Sequence, residues 1–107
     1  MKTLKFYETA DGKVPFKDWL ESVKDKSLQG KINTRLNFLA LGYMPDFDYV
    51  GEGVFETRIH TGGGVRIYFY PHKNTMVVLL CGGLKKTQKK DIQKAIEYAN
   101  DFRGRYE

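Results

Sequence analysis

The chain is nearly without cysteine. Its single thiol, Cys81, cannot close an internal disulfide and fits a reducing compartment such as the cytoplasm. Long apolar runs are missing too. No stretch reaches the roughly 18 apolar residues of a spanning helix, so no membrane role is expected. Met1-Lys2-Thr3-Leu4-Lys5-Phe6 lacks the apolar segment of a secretory signal. Familiar catalytic spacings are also absent. His60, His72 and Cys81 do not stand at metal-ligand intervals. Ser22 and Ser27 lie in or beside helices, not in a nucleophile elbow. Gly62-Gly63-Gly64 leads into a strand and lacks the Lys-Ser/Thr and helix of a phosphate-binding loop. Two carboxylates poised as a pair are not evident.

What is present is one domain's worth of ordinary globular sequence: 107 residues, 41% hydrophobic and 29% charged. The net charge of +5 is uneven. Residues 1–50 hold 8 Lys/Arg against 7 Asp/Glu, and residues 51–107 hold 10 against 6. The excess gathers at Lys85, Lys86, Lys89, Lys90 and Lys94, with only Asp91 opposing it. Such a patch suits a polyanionic partner, and it equally suits simple solubility.

Periodicity divides the chain into elements. Leu4 to Glu8 reads as a first strand, followed by a turn at Asp11-Gly12-Lys13. Pro15 suits the first position of a helix. Phe16, Trp19, Leu20 and Val23 then mark one helical face. Lys24-Asp25-Lys26 is a polar break. A second helix carries Leu28, Ile32, Leu36 and Leu39 and should stop at Gly42. Met44 to Gly53 reads as a loop. Val54 to Thr61 and Val65 to Tyr70 alternate as strands. Met76 to Cys81 is apolar on both faces, the mark of a strand covered on both sides. Thr87 can cap a last helix with an apolar face of Ile92, Ala95, Ile96, Ala99 and Phe102. The expected order is β-α-α-β-β-β-α, an α+β fold. The later strands should form an antiparallel meander, with the first two helices on one face of the sheet.

If Gly62-Gly63-Gly64 is a three-residue hairpin loop, His60 pairs with Arg66, Arg58 with Tyr68 and Glu56 with Tyr70. Arg58, His60, Arg66 and Tyr68 then form one cluster on an open sheet face. Arginine forks suit phosphate oxygens and a crowded transition state. Histidine or tyrosine can move protons. RNA supplies its own nucleophile, the 2′-hydroxyl, so no metal or cofactor is required. Tyr68 could also stack on a base. The plain alternative is a set of solvated side chains, with Glu56 merely paired to Arg58 and Cys81 packed in the core.

Three stretches carry a family resemblance. They are Val50-Gly51-Glu52-Gly53-Val54-Phe55-Glu56-Thr57-Arg58-Ile59-His60, Gly64-Val65-Arg66-Ile67-Tyr68-Phe69, and Leu79 to Gln88 with Asp91, Ile92 and Ala95. In order, they resemble the RelE/ParE superfamily of toxins, nearest to the HigB-like addiction-module killers, a group often described as phage-derived. The N-terminal Phe16, Trp19, Leu20 and the Ile32 to Leu39 helix fit as well.

The resemblance implies a RelE-like fold and a toxin of a type II toxin–antitoxin system, acting in the cytoplasm as a metal-independent, ribosome-dependent mRNA endoribonuclease. Its implied partners are the ribosome, mRNA and a helix-turn-helix antitoxin. It assigns Arg66 to the scissile phosphate, Arg58 to a basic position of the neighbouring strand, and Lys85 and Lys86 to the basic position after the last strand. Lys89 and Lys90 extend that RNA-binding run. Three positions depart from the family pattern: Val65 stands for a tyrosine, Leu84 for a frequent aspartate, and Lys86 for a frequent serine. The catalytic C-terminal tyrosine of RelE falls near Ile92, which leaves proton transfer to His60 or Tyr68, assisted by Lys85 or Lys86. Two other functions share the fold: a ParE-like gyrase inhibitor and a non-catalytic antitoxin-binding module.

Overall fold

The computed structural model describes residues 1–61 and 63–107. Five strands and three helices follow in the order β1 (Thr3–Phe6), α1 (Pro15–Ser22), α2 (Lys26–Ala40), β2 (Phe47–Gly51), β3 (Val54–Ile59), β4 (Val65–His72), β5 (Met76–Leu84) and α3 (Gln88–Tyr106). A short 3₁₀ turn, Lys85–Thr87, joins β5 to α3. The sheet order is β1-β5-β4-β3-β2. β2 to β5 run as an antiparallel meander, and β1 adds parallel to β5. This is the expected α+β architecture, compatible with a RelE-like fold. No helix is long and apolar enough to cross a membrane among the described residues.

Local chemistry sets the helix ends. Pro15 opens α1. The polar break before α2 is a cap: the Asp25 carboxylate accepts from the Ser27 and Leu28 amides. Past α2, Gly42 takes φ +83. The Tyr43 amide reaches back to the Phe38 carbonyl and the Gly42 amide to Leu39, the Schellman pattern. Tyr43 packs edge-on against Phe38 to complete it.

The sheet has two different faces. Under α1 and α2, Phe16, Ile32 and Leu39 meet Ile59, Val65, Ile67, Phe69, Val77 and Leu79 in an apolar core, with the buried Thr57 hydrogen-bonded to Arg35 beside it. Each such apolar side chain contributes about 1.5–3 kcal/mol on full burial. The opposite face is covered by α3, where Ala95, Ala99 and Phe102 lie on Val54, Tyr68, Tyr70, Val78, Leu80 and Cys81. One register shift in the β4–β5 ladder, between Tyr68 and Phe69, leaves Leu80 unpaired as a bulge. The C-terminal half of α3 is tied down by Tyr7 O–H to Asp101 at 2.7 Å and by Arg103 to the Glu52 carbonyl at 2.7 Å. Those ties fix where its N-terminal turn falls.

Three expectations change. Phe47–Gly51 is a strand, not loop; it pairs with β3 through a tight turn in which Glu52 and Gly53 have φ +50 and +84. The β3–β4 register differs by two residues: Arg58 faces Arg66 and Glu56 faces Tyr68, and the ladder closes at Ile59–Val65. His60 is thereby released from the ladder into a longer connection, of which Gly62 lies outside the described residues. A two-residue shift keeps every side chain on its expected face. Thirdly, Thr87 supplies no side-chain cap to α3; its hydroxyl donates to Asp91 Oδ2 at 2.6 Å.

Candidate functional site

Alternation along β3 and β4 turns Glu56, Arg58, Arg66 and Tyr68 toward the α3 side. Arg58 and Arg66 are directly opposite, and like charges there repel. A buried carboxylate answers them. Glu56 is 2% exposed; its Oε1 lies 3.4 Å from Arg66 Nε and its Oε2 3.9 Å from Arg58 Nη1. Gln88, the first residue of α3, donates to Glu56 Oε1 at 3.0 Å. Asp48 on β2 takes Arg58 Nη1 at 2.7 Å. Arg66 Nη1 donates to the Gly64 carbonyl at 3.0 Å and braces the loop beside it. The Nε atoms of both arginines are buried without a hydrogen-bond partner among the described residues. An unmet buried donor costs about 1–3 kcal/mol, and a catalytic role is one of the reasons a protein keeps one.

From this cluster a cleft of about 420 Å³ opens, lined by Arg58, Ile59, His60, Gly63, Gly64, Arg66 and Lys85. Arg58, Arg66, His60 and Lys85 therefore share one cavity. His60 stands at its rim, 71% exposed at the side chain, with Nε2 3.3 Å from Asp46 Oδ2. Lys85 enters from the turn after β5. Lys86, Lys89 and Lys90 do not reach it. They line another shallow hollow of about 340 Å³ with Thr87 and Gln93, and Lys86 also borders a hollow beside the cleft with Gly63, Leu84 and Lys85. All four lysines are exposed.

Tyr68 is a correction. It was expected on an open face, within reach of a base or a proton. Instead α3 covers that face, and Tyr68 is 0% exposed, packed with Val54, Leu80 and Ala95. Burial, and then the negative charge of Glu56, hold its phenol well above the usual range. In this position it supports the cluster from below and meets no solvent. Cys81 lies in the same core, and burial pushes its thiol up to about 12, so it stays protonated and inert.

The start of α3 sits close because Gly83 has no side chain. Gly83 pairs with Arg66 across the ladder, and a Cβ there would fall 2.0 Å from Asp91 Oδ2. That close approach lets Gln88 reach Glu56. The neighbouring Gly82 gives way in the other direction, where a Cβ would fall 2.4 Å from the Trp19 ring. Beneath β3, Arg35 of α2 donates through Nη1 to Thr57 Oγ1 at 2.7 Å and to the Arg58 carbonyl at 2.5 Å. The backbone that carries Arg58 is thus held from the opposite face.

Sequence reasoning did not find Gln88, Asp48, Asp46 or Arg35. Glu56 was visible, but only as a partner for Arg58. Its position on the arginine face was a usable signal, because a carboxylate on the strand that carries Arg58 is the natural counter-charge for two arginines.

The family model described as "Phage derived protein Gp49-like (DUF891)" matches residues 18–102. An uncharacterized protein of Haemophilus influenzae is 42% identical over 80 residues, which are 75% of this chain and 81% of its own length.

Proposed function

Because the chain belongs to the Gp49-like family of phage-derived proteins, within the RelE-like toxin group of toxin–antitoxin systems, we propose that it is a toxin that cuts mRNA on the ribosome. The observation that carries this reading is the cleft itself: two guanidiniums, a lysine and an imidazole on one cavity, with a buried carboxylate fixing the guanidiniums.

The chemistry is transesterification within the RNA. The 2′-oxygen bonds to the adjacent phosphorus, the 5′-oxygen of the next nucleotide leaves, and a 2′,3′-cyclic phosphate and a free 5′-hydroxyl result. Arg66 and Arg58 place fixed positive charge beside the phosphoryl oxygens as negative charge builds there. His60 takes the 2′-hydroxyl proton at the rim, and Lys85 delivers a proton to the leaving oxygen. Lys86, Lys89 and Lys90 bind flanking phosphates outside the cleft, so binding weakens steeply with salt. A helix-turn-helix antitoxin holds the toxin silent in the cell.

The test is a translating extract given the purified protein, with message 5′ ends mapped by primer extension. New ends within ribosome-bound codons are expected. Intact message, together with trapped gyrase–DNA adducts in cells that express the protein, would replace this reading with gyrase inhibition.

A further inference from the structure

The cleft does not end at His60. A second groove of about 570 Å³ shares Ile59 and His60 with it and runs along the outer face of α2 past Gly30, Lys31, Arg35 and Phe38. The two form one trough, divided by the exposed His60 ring. Gly30 is the anomaly in its wall. It sits inside a 15-residue helix, where glycine lowers stability relative to alanine. No packing demands it, since a Cβ at Gly30 would meet nothing within 4 Å. It leaves the trough open in a helix that would be firmer with alanine there.

The walls suit a nucleotide. Lys31 is exposed and makes no ion pair among the described residues; its Nζ lies 3.4 Å from Thr61 Oγ1, on the connection that carries His60. Phe38 is 36% exposed and held in orientation by its edge-on contact with Tyr43. A cation beside an oriented aromatic ring is the pairing that holds single-stranded RNA, phosphate on one and base on the other.

We propose that the α2 groove is a second nucleotide subsite, holding the single-stranded RNA residue that flanks the scissile phosphate, with Lys31 on its phosphate and Phe38 under its base. This rests on the cleft being the RNA-cleaving site. It assigns α2 a role in substrate binding, and it explains why a helix that buries only Ile32 and Leu39 keeps a glycine in its middle.

The experiment is fluorescence anisotropy with 2′-O-methyl oligoribonucleotides, which have no free 2′-hydroxyl and stay uncut. A dinucleotide spans the cleft alone and a hexanucleotide spans cleft and groove. The wild-type protein should bind the hexamer at least tenfold tighter. Lys31→Glu and Gly30→Trp should each cut the hexamer advantage at least threefold, leaving the part that Lys86, Lys89 and Lys90 supply, and should leave dinucleotide binding unchanged. Lys17→Glu, an equal charge change on the exposed side of α1, should keep the full hexamer advantage. Arg66→Ala should weaken both ligands alike. A hexamer advantage undiminished by both groove variants, or one that Lys17→Glu lowers equally, overturns the subsite. If Arg66→Ala changes neither ligand while Lys31→Glu still cuts the advantage, the subsite stands and the cleft reading fails. Thermal melts of each variant check for a native fold; a Cβ at Gly30 meets nothing within 4 Å, so Gly30→Trp should keep it.

Discussion

One sheet buries two unlike cores. Beneath α1 and α2, nine apolar residues close a dry layer. Beneath α3, the same strands bury Glu56, Arg66 and His72 beside Tyr68 and Phe102. The dry face rests mainly on size and shape, its one buried polar side chain, Thr57, being hydrogen-bonded to Arg35 and to the Pro45 carbonyl among the described residues, and it supplies stability. The mixed face keeps charged groups out of water, which is costly unless they are paired. For Glu56 and Arg66 that cost falls at the end of the sheet where the cleft opens, while His72 lies at the far end of β4, paired with Glu107.

The contrast can be broken at several points. Phe69→Ala, which removes a fully buried ring stacked on Phe55 in the dry core, should cost about 3–5 kcal/mol. In a 107-residue domain that lowers the melting temperature by more than 10 °C, as calorimetry would show. A smaller loss would mean that the dry face is not the main source of stability. Next comes Glu56→Gln, which leaves two opposed guanidiniums without their shared counter-charge. It should cost about 2–3 kcal/mol and lower cleavage by more than tenfold, while Glu56→Asp keeps part of both. Unchanged cleavage in a stable Glu56→Gln protein would show that the arginines need no such brace.

Alkali probes the α3 side. Burial first, and then its hydrogen bond to Asp101, push the Tyr7 phenol up to about 12, against 10.0 for a free tyrosine. A raised folded value means that the stabilisation is complete below pH 10 and is lost as pH climbs through 12. Urea midpoints should therefore fall across that window. Tyr7→Phe should lessen the fall, with the buried Cys81 and Tyr68 supplying the rest, and an unchanged slope would remove Tyr7 as a source. The smallest effect belongs to Tyr68→Phe. The Tyr68 hydroxyl is buried and has no hydrogen-bond partner among the described residues. Its removal should change stability by less than about 1 kcal/mol and leave cleavage intact. A large loss of cleavage would return the phenol to the chemistry.

Much of this was legible in the sequence. Strict alternation in Val54 to Ile59 and Val65 to Tyr70 put Glu56, Arg58 and Arg66 on one face, and the face survived even though the register did not. Register was out of reach because three consecutive glycines tolerate several loop lengths, and a shift of two residues leaves hydrophobicity unchanged. β2 was hidden by Pro45, Gly51 and Gly53, which read as loop residues, while its aromatic members, Phe47 and Tyr49, are exposed at a sheet edge. Tyr68 misled because alternation fixes a side chain's face but not what covers it. The brace from Gln88 to Glu56 spans 32 residues, and it exists only because Gly83 admits the first turn of α3.

The most direct test of the account is message cleavage by Arg66→Ala in a translating extract, read by primer extension beside a thermal melt. The account predicts that the variant, which strands the buried Glu56 carboxylate, melts below the parent by about as much as Glu56→Gln does, and that at a temperature where both are folded it loses cleavage by about 10²–10³-fold, the scale of removing one charge-stabilising group from a transition state. A folded Arg66→Ala protein that cuts message at the parent rate would contradict it.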